Sequence, residues 1–314
     1  MHILIAAIAA GVTGFANQRG STCTVAALEE VVVKGRFKRL IALFEASLWA
    51  AMSFVLLSEA HLLHVVPPAY SVGIGAVAGG VLFGIGALVN GACIFGTVAR
   101  IGSGELRYLA TPLGFYLGGL ASACIPARVP LDSRSPLIAA ATGIAILIVP
   151  LIVARLYMHF RNMRRTGSTL RKYLSLPHVA TTIIGVTFVI ALASQQDWTY
   201  SDALTDLARG ITSGEGLKAI LAFALLLGAI LGGITAGRFK IVTPDLASFL
   251  RCLAGGALMG AGALLIPGGN TGLALVGLPL LRPYAWLAFL SICITIYSAL
   301  RLSALRKELL TQTP

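Results

Sequence analysis

Apolar residues along this chain fall into long blocks separated by short polar breaks. Read by length, the blocks predict nine helical spans, at about residues 3–16, 40–57, 72–92, 106–125, 137–158, 179–194, 217–236, 246–266 and 284–302. A helix that crosses a bilayer needs roughly 20 mainly apolar residues, so the first block is the shortest candidate. Three further apolar stretches, 20–33, 93–102 and 270–281, are too short to cross. Each follows a break: Asn17-Gln18-Arg19-Gly20, Asn90-Gly91-Ala92 and Pro267-Gly268-Gly269. Each is read as the start of a half-helix that dips into the membrane. Irregular backbone at that depth survives only where protein buries it or a wet cavity lies beside it. The alternative is an ordinary surface helix between spans.

One block occurs twice. Residues 78–96 read AGGVLFGIGALVNGACIFG and residues 254–272 read AGGALMGAGALLIPGGNTG, with 9 of 19 positions identical at an offset of 176. A duplicated, glycine-interrupted apolar segment implies repeat architecture with a substrate site at the repeat interface. Cys93 in the first copy lies opposite Gly269 in the second.

Composition agrees with the blocks. Apolar residues make up 57% and charged residues 11%, and mean hydropathy is +0.88. A soluble chain carries about 25% charged residues, so this is an integral membrane protein. The formal charge of +12 does not indicate nucleic acid, because the Lys and Arg sit between apolar blocks. With the N-terminus outside, 19 of them fall on cytoplasmic loops and ends and 5 outside. That bias predicts N-out and C-in with an odd number of spans. The duplicated segments then run antiparallel. The expected fold is an all-α polytopic membrane protein of about nine transmembrane helices plus short re-entrant helices. Its inverted-topology repeat halves are 1–158 and 179–314, joined by a basic cytoplasmic linker at 159–178 that faces anionic headgroups. The N-terminus lacks a basic n-region, so the first block reads as a retained span.

Half-helix N-termini present free N–H groups and favour anions. Cys23 and Cys93 lie at the first turns of two such segments, where a thiol is activated as a donor. Arg19 and Arg100 lie nearby in sequence and add positive potential. The bland reading of a buried cysteine is a small hydrophobe, and it fits Cys124, Cys252 and Cys293 inside regular spans. Asn270-Thr271 open the third segment, where Asn serves as an N-cap or as an amide donor to an anion. His61 and His64 lie three apart with too few companions for a metal site. Glu45 is an acid within the second span. No C-x-x-C pair or cofactor motif is present, so no cofactor, metal or enzymatic activity is expected, and a thiol oxidoreductase is the weaker alternative.

QRGSTCTVAALEE (18–30) and NGACIFGTVARIGSGEL (90–106) resemble the first two cysteine motifs of the YeeE/YedE family, and LMGAGALLIPGGNTGLALVGLPLL (258–281) resembles its third. The family comprises bacterial inner-membrane transporters of thiosulfate and related sulfur compounds. The resemblance implies a nine-span inverted-repeat fold and passage of a small sulfur oxyanion, with Cys23 and Cys93 recognising it through S–H···S hydrogen bonds. Sulfite, sulfide or a selenium compound are the alternative substrates. The expected substrate-binding residues are Cys23, Cys93, Gly91, Arg19, Arg100, Gly268, Gly269, Asn270 and Thr271. The expected partners are the oxyanion, the lipid bilayer and a cytoplasmic TusA-like sulfur carrier protein. The pattern departs at Gly269, which stands in the cysteine position of the third motif.

Overall fold

The computed structural model describes residues 2–312 apart from 64, 123, 127, 167–175, 195–197 and 212–213. The first half contains helices α1 (His2–Gly20), α2 (Thr24–Lys34), α3 (Lys38–Glu59), α4 (Ile74–Asn90), α5 (Ile94–Ile101), α6 (Ala110–Ala121), α7 (Pro136–Ala139) and α8 (Ala141–Thr166). The second contains α9 (Pro177–Ser194), α10 (Tyr200–Ala208), α11 (Glu215–Ala236), α12 (Leu246–Leu265), α13 (Gly269–Gly272), a π-helical turn (Leu273–Gly277) and α14 (Pro283–Gln312). Among the described residues the strands are two residues each, β1 (Ala69–Tyr70) and β2 (Pro130–Leu131). They pair antiparallel in the register Ala69↔Leu131 and Tyr70↔Pro130.

Each predicted span falls on a helix. Among the described residues five helices, α3, α4 with α5, α11, α12 and α14, are long and apolar enough to cross a bilayer by length and composition. Together with the chain's hydropathy they make this an all-α membrane protein. Large apolar side chains such as Ile146, Leu147, Phe223, Ile294 and Leu302 are exposed on helix surfaces, as they are when lipid covers them.

The boundaries carry three corrections. The fourth span opens as a 3-10 turn (Leu106–Leu109), and its α-helix ends at Ala121. Cys124 therefore lies beyond the helix and is exposed, not packed inside a span. Helix α8 runs on to Thr166, so the first residues of the expected linker are helical; 167–175 lie outside the described residues. Helix α10 was not foreseen, because its sequence YSDALTDLA is too polar to stand out beside the apolar blocks.

The two copies of the duplicated segment, on α4 and α12, pack on each other. A Cβ on Gly79 would come within 2.9 Å of the Gly262 carbonyl oxygen, and one on Gly86 within 2.7 Å of the Gly255 carbonyl oxygen. Rising numbers on α4 meet falling numbers on α12, so the helices are antiparallel. At the offset of 176, Gly79 corresponds to Gly255 and Gly86 to Gly262. Each glycine thus meets the counterpart of the other, which is how a two-fold axis pairs equal surfaces. Only residues without a side chain let the backbones approach this closely. The same offset carries α2 to 200–210, where α10 lies, and α5 to 270–277, where α13 and the π turn lie.

Polar ties mark the two ends. At the ribbon end, buried Arg282 donates to the Ser133 and Pro67 carbonyl oxygens, both at 2.8 Å. At the basic end, Glu105 pairs with Arg100 at 2.8 Å and Arg107 at 2.7 Å. There too the Lys240 N–H donates to the Ser103 carbonyl at 2.9 Å. Glu45 on α3 pairs with Arg155 on α8 and His178 on α9, joining the two halves.

Candidate functional site

Short helices α2, α5, α10 and α13 begin at Cys23, Cys93, Thr199 and Gly268. Their first turns meet in the protein interior. The Cys93 N–H donates to the Cys23 sulfur at 3.4 Å. The Asn270 amide nitrogen donates to the Thr24 hydroxyl at 3.1 Å. The Ser201 hydroxyl donates to the Gly268 carbonyl at 2.7 Å. Short helices therefore lie where the half-helices were expected, and the fold brings Cys23 and Cys93 together across 70 residues of chain.

The break between α4 and α5 explains how Cys93 is placed. Gly91 ends α4 at φ +78°, a left-handed conformation that suits glycine. Cys93 then caps α5, its sulfur accepting the Gly96 N–H at 3.4 Å, so the thiol stands where a Ser or Thr hydroxyl often does. Fully buried Asn90 holds the break. Its amide donates to the Ala92 carbonyl at 2.7 Å and the Thr97 hydroxyl at 3.0 Å, and its oxygen accepts from Thr111 at 2.8 Å. Asn17 likewise donates to the Phe95 carbonyl at 2.8 Å. Neither asparagine was expected as a site residue. The signal that could have found them is an amide inside an apolar stretch, where an unpaired polar group is costly.

A cavity of about 20 Å³ lies at this meeting point, lined among others by Thr22, Thr24, Cys93, Asn270 and Thr271. That volume holds one water molecule and is too small for a sulfur oxyanion. The hydroxyls of Thr22 and Thr271 and the Asn270 side-chain oxygen are buried without a hydrogen-bond partner. Orphaned polar groups of this kind call for a water or a ligand. The π turn borders the cavity through Ala274 and Leu275, and Ser47 donates to the Ala274 carbonyl at 2.6 Å. Such turns recur at functional sites because they loosen the helical ladder.

Two larger cavities lie at the ribbon end. One of about 320 Å³ is lined by Pro267, Gly268 and Gly272 with Arg128, Thr199, Asp202 and Arg209. The other, of about 670 Å³, is lined by Arg134, Ser135 and Arg282 among others. The third motif therefore separates the 320 Å³ cavity, on its Gly268 side, from the central one, on its Asn270–Thr271 side.

The other expected residues take different places. Arg19 is buried at the end of α1, donating to the Thr235 hydroxyl at 2.9 Å and lying over the Phe15 ring. Arg100 is half-exposed against Glu105. Neither lines the central cavity. Gly268, not Asn270, is the N-cap of α13, so the amide of Asn270 is free to reach across to α2. At Gly269, with φ +50°, an added Cβ would lie 2.9 Å from the Ser201 hydroxyl. Ser201 thus fills the space that a side chain at 269 would need.

The chain matches the sulphur transport family over residues 19–298. It is 27% identical to the thiosulfate transporter TsuA of Spirochaeta thermophila over 307 residues, covering 88% of this chain and 91% of that protein. It is 24% identical to the thiosulfate transporter TsuA of Escherichia coli K12 over 332 residues, covering 95% and 93% respectively. Paired cysteines at broken helices and a family match over most of the chain converge, and the chain belongs to the sulphur transport (YeeE/YedE) family.

Proposed function

We propose that this protein takes up a small sulfur oxyanion, thiosulfate foremost, across the bacterial inner membrane. The observation that carries the proposal is the set of groups around the central cavity: the Cys93 thiol beside the unpartnered hydroxyls of Thr22 and Thr271. Thiosulfate has one soft terminal sulfur and three hard oxygens. A thiol suits the first, and hydroxyl donors suit the second. The names of the two relatives support the same substrate.

On this reading the nine longer helices among the described residues cross the bilayer, with the N-terminus outside and the ribbon end facing out. The halves 1–158 and 179–314 act as inverted repeats around the cavity; the antiparallel, reciprocal packing of α4 on α12 supports this. The anion collects in the cavities at the ribbon end, passes the Gly268–Thr271 segment when the π turn yields, and reaches Cys93 and Cys23. Arg19 and Arg100 attract it toward the basic end from a distance. Carrying a dianion inward against an inside-negative potential of about 100 mV costs roughly 4.6 kcal/mol, so net uptake needs coupling or rapid removal of the product.

The test is growth of a sulfate-uptake-deficient bacterium, supplied with this gene, on thiosulfate, sulfite or sulfide as sole sulfur source. Growth on thiosulfate that Cys93→Ala abolishes and Cys293→Ala leaves intact is the expected result. Growth on sulfite alone would move the substrate, and no growth on any source would sink the proposal.

A further inference from the structure

Asp202 lines the 320 Å³ cavity at the ribbon end. It lies in the first turn of α10, its N–H donated to the Thr199 hydroxyl oxygen at 3.0 Å. Its carboxylate gathers donors at the junction of α10 and α13. The Gly268 N–H donates to one oxygen at 2.8 Å and the Thr199 hydroxyl donates to the other, also at 2.8 Å. Asp202, Thr199 and Gly268 all line the 320 Å³ cavity. Gly268 opens the segment whose far side faces the central cavity, so these donors lie on the way through. A carboxylate is itself an oxyanion, and it occupies the donors that a solute oxyanion would use. The first half has no such acid, since Ala26 stands at the position 176 residues earlier.

We propose that Asp202 is a proton-operated latch on the ribbon-end mouth, so that capture of the oxyanion is coupled to protonation of this carboxylate. The inference rests on the transport reading above. In the step, a proton from the cavity's solution bonds to a carboxylate oxygen. The hydrogen bonds that the Gly268 N–H and the Thr199 hydroxyl give the carboxylate pass to oxygens of the arriving anion. No other bond forms or breaks, and the charge brought into the mouth falls by one. Among the described residues, the other charged and titratable groups facing the same cavity are Asp206 on α10, Arg209 just after it, Arg128 ahead of β2, Tyr70 on β1 and Tyr284 on α14. Lys218 on α11 pairs with Asp206, and Arg282 is held by backbone carbonyls. Arginine stays charged at every working pH, so Arg128 and Arg209 attract an anion without giving a pH slope. Asp202 is the group of this set bonded to the Gly268 N–H.

The test uses purified full-length protein in liposomes. Uptake of labelled thiosulfate, sulfite and sulfate is measured with external pH varied between about 5.5 and 7.5 and internal pH fixed. Wild-type uptake of the transported anion should rise as external pH falls, with a limiting slope of about tenfold per pH unit for one linked proton. Asp202→Asn keeps an acceptor for Gly268 but cannot titrate, and its uptake should be flat over the range. Asp202→Glu should keep a slope with a displaced midpoint. Comparing proteins on the same anion cancels any titration of the anion itself. A wild type without a slope, or Asp202→Asn with the wild-type slope, overturns the latch while leaving the transport reading intact. If Asp202→Asn fails to fold, an Asp202→Glu profile identical to wild type overturns it equally. If no anion enters at any pH, both readings fall.

Discussion

Gly96→Ala is a sharp test of the thiol pair, because it adds one methyl group at a known place. Gly96 is the third residue of α5, and a Cβ there would lie 2.6 Å from the Cys23 sulfur and 2.9 Å from the Cys23 Cβ. Ordinary contact starts at 3.4 Å, so the Cys23 side chain would have to retreat by close to an ångström. That movement breaks the 3.4 Å contact from the Cys93 N–H to the Cys23 sulfur. Overpacking of this kind costs about 1–3 kcal/mol, while Ala in place of Gly inside a helix returns about 1 kcal/mol. The net expectation is a change in stability from near zero to a loss of about 2 kcal/mol. If the proposed function is right, transport depends on where the sulfur lies and not on the net stability, so uptake should fall far more than folding. Gly143→Ala is the control: it lies on α8 with nothing within 4 Å of an added Cβ, so it should gain up to about 1 kcal/mol of stability and leave uptake near wild type. The assay pairs thermal unfolding in detergent with labelled thiosulfate uptake in liposomes. The double variant Gly96→Ala with Cys23→Ala should recover part of the stability without recovering uptake, since the 2.6 Å contact with the sulfur goes, the 2.9 Å contact with the Cys23 Cβ stays, and the thiol is lost. Wild-type uptake by Gly96→Ala would refute the reasoning, because it would show that Cys23 can leave its place without consequence.

Further expectations follow from other contacts. Asn270→Ala loses the bond to Thr24, about 1 kcal/mol of stability, and should cut uptake about tenfold if the amide also meets the anion, a factor worth about 1.4 kcal/mol; uptake at the wild-type rate would remove Asn270 from the pathway. Asp245 caps α12, and the hydrogen bonds from Ser248 hold its carboxyl below the usual carboxylate range. Its contribution is therefore present above that range and lost as pH falls through the lowered folded value; acid unfolding of Asp245→Asn should lose that part of the wild-type pH dependence, and identical profiles would rule the cap out. Single cysteines placed at Asp132 and Arg161, both exposed, should react with a membrane-impermeant thiol reagent from the outside and only after permeabilisation respectively; labelling of both from one side would overturn the proposed orientation.

Helix positions were legible in the sequence because lipid imposes a one-dimensional rule. A stretch long and apolar enough to cross must form a helix that satisfies its own backbone. The breaks at Gly91 and Gly268 were legible for a related reason: their φ of +78° and +85° are values that glycine adopts freely. The duplicated segment announced itself through its glycines, and those glycines mark the close contact of α4 with α12. Local patterns of this kind need no knowledge of what lies across the fold.

What only the tertiary structure decided is which distant groups meet. Nothing in the spacing of residues 23 and 93 says that the backbone N–H of one faces the sulfur of the other. Arg19 and Arg100 are near those cysteines in sequence, yet helix geometry sends their side chains to Thr235 and Glu105. Asn270 was open to a capping role until Gly268 took that position and left the amide to bond Thr24, 246 residues away. Helix α10 and Asp202 were missed altogether, since a short polar helix gives no hydropathy signal, and its carboxylate acquires meaning only where α10 meets α13. Hydropathy is a property of one segment against its solvent. A binding site is a coincidence of several segments, and packing alone brings them within hydrogen-bonding range.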